Sequence, residues 1–239
     1  MTGANARPRP DRDSDPAARL ARIDSPGKAT VFYQALRDDL VSGKLAPGQR
    51  LSEASLSREY GVSRSPVREG LARLEHDGLV ERRGMVVRVP ERSVGEILDI
   101  YQVRVFLEGA IAADAAERRS ENDLLRLDGA LRVARTARRR EPADLVAANR
   151  AFHDALTAAS HNASLRDLQQ RLTAQIATLP ATTLSSPGRW RQACAEHTGI
   201  AAAVRERDAQ AARSLAEQHL RTARDIRIQL YASEYRPAR

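Results

Sequence analysis

Leu51-Ser-Glu-Ala-Ser-Leu-Ser-Arg-Glu-Tyr-Gly-Val-Ser-Arg-Ser-Pro-Val-Arg-Glu-Gly-Leu-Ala-Arg-Leu-Glu75 reads as two helices joined by a tight corner. Ser52 is placed to cap a short helix with Leu56 and Tyr60 facing inward, and Gly61 supplies the left-handed residue that ends it. Val62 fills the corner. Ser63 is placed to cap the next helix, and Pro66 is tolerated because first-turn amides have no intrahelical acceptor. Val67, Leu71 and Leu74 share one side of that second helix, whereas Arg64, Ser65 and Arg68 project outward near its N-terminal end. In a helix-turn-helix this is the end that meets base edges, and Arg is shaped for bidentate contact with guanine O6 and N7. Two arginines on a helix are ordinarily a solvated face, and that reading stands as the alternative here.

Outward from this stretch, a helix and a Pro47-Gly48 turn precede it, and Leu79 to Val89 follows as two short strands with a basic Arg83-Gly84 tip, a wing able to reach backbone or minor groove. Residues 1–25 mix Pro, Asp and Arg with almost no large apolar side chains and read as a mobile tail. Beyond Pro90 the pattern is helical throughout. Six segments lie between Ser93 and Ala232, broken near Ser120, Glu141-Pro142, Ser160 to Ala163, Leu184 to Gly188 and Arg207-Asp208. Ile97, Tyr101, Ile111 and Ala115 form one apolar stripe; Leu215, Ala223, Ile226 and Leu230 form another. The fold class expected is mainly α: a winged helix-turn-helix over 26–90 and an antiparallel six-helix bundle over 93–232.

The 239 residues, 42% hydrophobic, suffice for two cores, and no apolar run is long enough to span a membrane. Cys194 is the single cysteine, which excludes an intrachain disulfide and a cysteine zinc cluster and makes the cytoplasm the default location. The net charge of +8 invites a nucleic-acid reading, but the surplus is spread along the chain, and the excess of Arg over Lys is one that an Ala/Arg-rich composition also produces, so charge alone does not decide.

The run GKLAPGQRLSEASLSREYGVSRSPVREGLARLEHDGLVERRGMVVRV, residues 43–89, resembles the winged helix-turn-helix of the GntR regulators. The resemblance implies that Arg64, Ser65 and Arg68 are recognition-helix contacts with double-stranded operator DNA and that Arg83 and Gly84 form the wing tip. Ala54 stands where some members carry an operator-contacting Arg, so the operator sequence does not transfer. The helical region is similar to the FCD effector domain of the FadR branch, on Tyr101-Gln-Val-Arg104-Val-Phe-Leu-Glu108, Asn149-Arg-Ala-Phe152-His153, Glu196-His197 and His219-Leu220 taken in order.

Independently of any family, Asn149 and His153 interrupt an apolar stripe with Leu145, Phe152 and Leu156. His197 shares a face with Trp190, Cys194 and Val204, and His219 one with Leu215 and Ile226. Buried polar groups need partners, and three imidazoles with one carboxamide can find them in a divalent ion such as zinc or nickel; hydrogen-bonded core histidines are the alternative. The FCD resemblance implies the ligand reading, with Asn149 where Asp is commoner. It also implies that Arg104 faces the effector cavity, which suits a small carboxylate, although an intrahelical pair with Glu108 would satisfy it too. A metallohydrolase lacks support, since no H-E-x-x-H, nucleophile elbow or P-loop is present and no acidic residue stands out as a general base for the His set except Asp154, which points a helical step away from His153. A sequence-neutral architectural DNA protein would have no use for an enclosed polar site. The expectation is therefore a homodimeric bacterial transcription factor, not an enzyme, that represses through its operator and senses a small molecule.

Overall fold

The computed structural model describes residues 25–137, 141–179 and 182–234. The expected tail over 1–25 lies outside them, except for Ser25, which begins the first helix. The chain forms two compact units, one running to Glu91 and the other starting at Arg92.

In the first unit, α1 (Ser25–Val41) is followed by β1 (Arg50–Leu51), α2 (Glu53–Glu59), α3 (Arg64–His76), β2 (Glu81–Arg83) and β3 (Val86–Arg88). The Ser52 hydroxyl accepts from Ser55 N, and Leu56, Tyr60 and Val62 are buried around Gly61, whose φ of 65° lies in the left-handed region. Ser63 occupies the N-cap of α3 but makes no side-chain cap hydrogen bond, contrary to the expectation; Pro66 already fills one first-turn position that needs no acceptor. The sheet order is β1-β3-β2, all antiparallel. The β2–β3 hairpin was legible in the sequence. β1 was not, because two residues leading into a helix cap carry no alternation.

The back of α3 lies hard against α1. A Cβ on Gly70 would stand 2.8 Å from Cε1 of the fully buried Phe32 ring, and closer still to Cδ1. Gly70→Ala is therefore expected to lower the melting temperature of the chain, because overpacking costs about 1–3 kcal/mol and exceeds the roughly 1 kcal/mol that alanine returns in helix propensity. An unchanged or higher melting temperature in a calorimetric scan would show that Phe32 yields freely.

The second unit contains α4 (Val94–Arg118), α5 (Glu121–Thr136), α6 (Pro142–Ala159), α7 (Ala163–Ala177), a 3-10 turn at Thr183–Ser185, α8 (Arg189–Arg205) and α9 (Ala209–Glu234). Capping boxes at Ser93/Glu96 and Ser120/Asp123 set the starts of α4 and α5. Ile111, Ala115, Leu127, Phe152, Leu156, Ile200, Val204 and Ala216 lie in one core shared by α4, α5, α6, α8 and α9. The stripe expected on α9 is displaced: Ala212, Ala216, His219, Leu220 and Arg227 are buried, and Leu215 is exposed. Alanines count weakly in an apolar periodicity, yet they let α9 approach α4 closely, and this moved the buried face by about a residue.

Candidate functional site

On the first unit, Arg64, Ser65 and Arg68 are all exposed on the N-terminal part of α3. Arg64 has no ion pair among the described residues, whereas Arg68 Nε donates to Glu53 Oε2 at 2.8 Å. Glu53 opens α2, so the two helices of the motif are tied across their corner by a pair the sequence reading had not foreseen. In the wing, Arg83 pairs with Val86 across β2 and β3, leaving Gly84 (φ 60°) and Met85 as the two-residue loop. Met85 is 96% exposed. Glu81 receives both Arg83 Nε at 3.1 Å and Arg88 Nε at 2.6 Å, which holds the base of the wing. If the wing tip meets the DNA backbone, Arg83→Ala is expected to weaken binding to specific and scrambled DNA alike, because a phosphate contact carries no sequence information; a loss confined to the specific duplex in gel-shift titrations would contradict this.

The second unit brings its three expected histidines together. His153 from α6, His197 from α8 and His219 from α9 are all buried, and one ring nitrogen of each lies within 4.8 Å of the others. Nε2 of His197 stands 3.4 Å from Nε2 of His219, and the His197 ring stacks on Phe152 with centroids 4.0 Å apart. Burial, with the neighbouring imidazoles and Arg189, pushes the His197 pKa well below its ordinary value; burial also brings His219 down to about 4 despite the opposing pull of Glu196. Both rings are thus neutral near pH 7 and keep a lone pair for a ligand. Asn149 lies one helical turn before His153, and its Oδ1 is buried with no hydrogen-bond partner, as is Nδ1 of His197.

Two carboxylates complete the cluster, and the sequence reading missed both roles. Glu108 Oε2 lies 3.3 Å from Nδ1 of His153, and Glu196 Oε2 lies 2.6 Å from Nδ1 of His219. The nearly fully buried Arg189 donates to the same Glu196 oxygen at 2.7 Å. Arg189 also lies 3.3 Å from Nδ1 of His219, but at 2.6 Å the carboxylate is the partner of that nitrogen, and the longer approach sets two donors side by side. Burial opposes charge on Glu108, yet His153, the Arg104 charge and the Gln169 amide hold its carboxyl well below the ordinary range; hydrogen bonds from His219 and Arg189 do the same for Glu196. The pairing of Arg104 with Glu108 does not form: Glu108 is engaged by His153 and Gln169, and the Arg104 guanidinium lies over the Tyr101 ring, 5.5 Å from its centre. Arg104 Nε is buried without a hydrogen-bond partner. The donor set fits a divalent ion chemically: neutral imidazoles, an unsatisfied amide oxygen and carboxylates on the outward ring nitrogens.

Residues 28–87 match the profile of the bacterial regulatory proteins of the gntR family, and residues 99–222 match the FCD domain. The chain belongs to the GntR family, with an FCD domain. It is 30% identical over 223 residues to the Uxu operon regulator of Haemophilus influenzae, an alignment covering 84% of this chain and 81% of that protein. It is 28% identical over 193 residues to the HTH-type transcriptional repressor RspR of Escherichia coli, covering 79% and 84%. Among solved structures, Escherichia coli McbR/YncC superposes with a TM-score of 0.71 at 24% identity over 87% of this chain and 100% of the other, a likeness of fold. GntR-family proteins of this architecture are DNA-binding transcriptional regulators, not enzymes. As a GntR chain it carries the motif on α2 and α3 and the histidine cluster in the FCD domain. No helix among the described residues is long and apolar enough to cross a membrane.

Proposed function

We propose that this regulator binds operator DNA as a cytoplasmic homodimer and acts as a repressor, and that a small carboxylate effector, held beside a divalent ion in the helical unit, controls that binding. The observation carrying the reading is the convergence of His153, His197 and His219; Asn149, one helical turn before His153, adds a buried amide oxygen without a partner among the described residues. These four residues would hold the ion, zinc or nickel by the chemistry of the donors, and the ion would supply fixed positive charge and coordination positions open to a chelating ligand. Arg64, Ser65 and Arg68 would read the operator, with Arg83 and Gly84 on its backbone or minor groove.

The charges around the cluster favour a carboxylate. The ligands alone are neutral, but Glu108 and Glu196 sit directly behind them, so the cluster is not a bare cation site. Arg104 and Arg189 offset those two charges, and the ion's own charge is what remains. Nε of Arg104 and Nε of Arg189 are buried N–H groups without an acceptor among the described residues, which suits a ligand rich in oxygens such as a sugar acid or hydroxy acid. Arg104→Ala should then weaken effector binding by about 10- to 100-fold, the worth of a charge-assisted hydrogen bond, while the ion stays bound. Calorimetry with effectors drawn from the pathway next to the operators, found by sequencing genomic fragments captured on the protein, tests this. A neutral or cationic natural effector would reject it.

The dimer follows from the geometry of operators: one motif reads a few base pairs, and two-fold sites match two-fold proteins. In the helical unit, Phe106 and Val103 are 60% and 52% exposed on one side of α4, apolar surface that a second copy would cover. Sedimentation of the full chain at tens of micromolar is expected to give a dimer, and a monomer would contradict it.

A further inference from the structure

A hydrogen-bonded chain of side chains lies behind the histidines. Thr157 Oγ1, on the same helix as His153, is 2.8 Å from Gln169 Oε1 and also 2.8 Å from the His153 carbonyl oxygen, so its single proton is shared between two acceptors. Gln169 Nε2 donates to Glu108 Oε1 at 3.0 Å, and the other Glu108 oxygen faces Nδ1 of His153. The partners give this chain its polarity: the Thr157 hydroxyl can donate to the Gln169 oxygen, the Gln169 NH2 then faces Glu108, and the second Glu108 oxygen is left as the acceptor that Nδ1 of His153 meets. At the opposite side of the cluster, Arg189 fixes Glu196 from behind, and Glu196 accepts the hydrogen bond from Nδ1–H of His219.

We propose that Glu108 and Glu196 are positioning residues that fix His153 and His219 as their Nδ1–H tautomers, leaving Nε2 of each to the shared space, with Gln169 aligning Glu108. The proposal deepens the metal reading and rests on it for its use, but the tautomer assignment stands on the hydrogen bonds alone. Both imidazoles then meet an ion through Nε2, each braced by a carboxylate on its far nitrogen, and α4, α7 and α8 all take part in shaping a site whose histidines come from α6, α8 and α9. Gln169 is one of only two buried residues assigned to α7, so the polar chain is a main tie between that helix and the site.

Nitrogen-15 NMR of the histidines in the metal-free full chain reads the tautomers directly. The expected result is Nδ1 protonated in His153 and His219; an Nε2–H tautomer in either overturns the assignment for that residue. Zinc titration against a competing chelator then reads the consequence. Glu108→Gln and Glu196→Gln are each expected to weaken zinc by about 10- to 100-fold, and Gln169→Met by less. Glu196→Asp, which keeps the acceptor, should recover part of the loss. Zinc affinity unchanged in both Gln variants, with melting temperatures of the metal-free proteins held, overturns the positioning role. If the native protein binds no zinc, the metal reading falls, and the tautomers still decide this one.

Discussion

His153→Ala is expected to abolish the stabilisation that a divalent ion confers on the native chain. In the native protein, metal at a hundredfold excess over its dissociation constant should add about 2.7 kcal/mol to unfolding free energy, visible as a raised melting temperature. Removing a ligand from the centre of the cluster should weaken binding beyond the about 10- to 100-fold that loss of an outer partner costs. Elemental analysis and calorimetry on both proteins measure this. A variant that keeps its metal-dependent shift would mean that the imidazoles are simply core residues, and loss of the ion with effector binding intact would separate the two halves of the proposed mechanism.

The second large effect is expected at the DNA. Arg64→Ala should weaken operator binding by about 1–3 kcal/mol, roughly 5- to 150-fold, while leaving affinity for scrambled duplex nearly unchanged. Arg64 is the sharper test because it is exposed and holds no ion pair among the described residues, so its removal orphans no partner there. Arg68→Ala would also release Glu53, placing an unpaired carboxylate near the phosphates and mixing a second, repulsive effect into the measurement. Equal losses on operator and scrambled DNA for Arg64→Ala would remove it from base readout.

The sequence was most legible where local chemistry and tertiary role coincide. Gly61, Val62 and the Val67–Leu71–Leu74 stripe specify the corner and its buried side almost by themselves, and the breaks at Ser120, Glu141-Pro142 and Arg207-Asp208 are caps and left-handed turns with direct signatures. The three histidines were legible because polar residues on apolar stripes are costly and so call for a reason. Glu108 and Glu196 were not. Each lies on a different helix from the histidine it holds, 45 and 23 residues away in the chain, and nothing in a helix's own periodicity reports what faces it. The one partner the sequence offered for Glu108 was Arg104, the alternative to a cavity-facing Arg104, because four-residue spacing is the only neighbour relation a sequence displays. The displaced face of α9 has the same origin, since its true contact is made by Ala212 and Ala216, which a hydrophobicity count undervalues.

The close seating of Gly70 on Phe32 has a consequence for how the DNA-reading helix evolves. The outward side chains of α3 can change freely to suit a new operator, but the pitch at which they are presented is set on the opposite side, where a bare backbone rests on a ring carried by α1. Aim and vocabulary are thereby separated. On the proposed reading, substitutions at Arg64 or Ser65 would alter which bases are read, whereas a change in the volume of residue 32 would tilt the whole helix and degrade every contact at once, so new specificities could be explored one side chain at a time only while that rear bearing stays as it is.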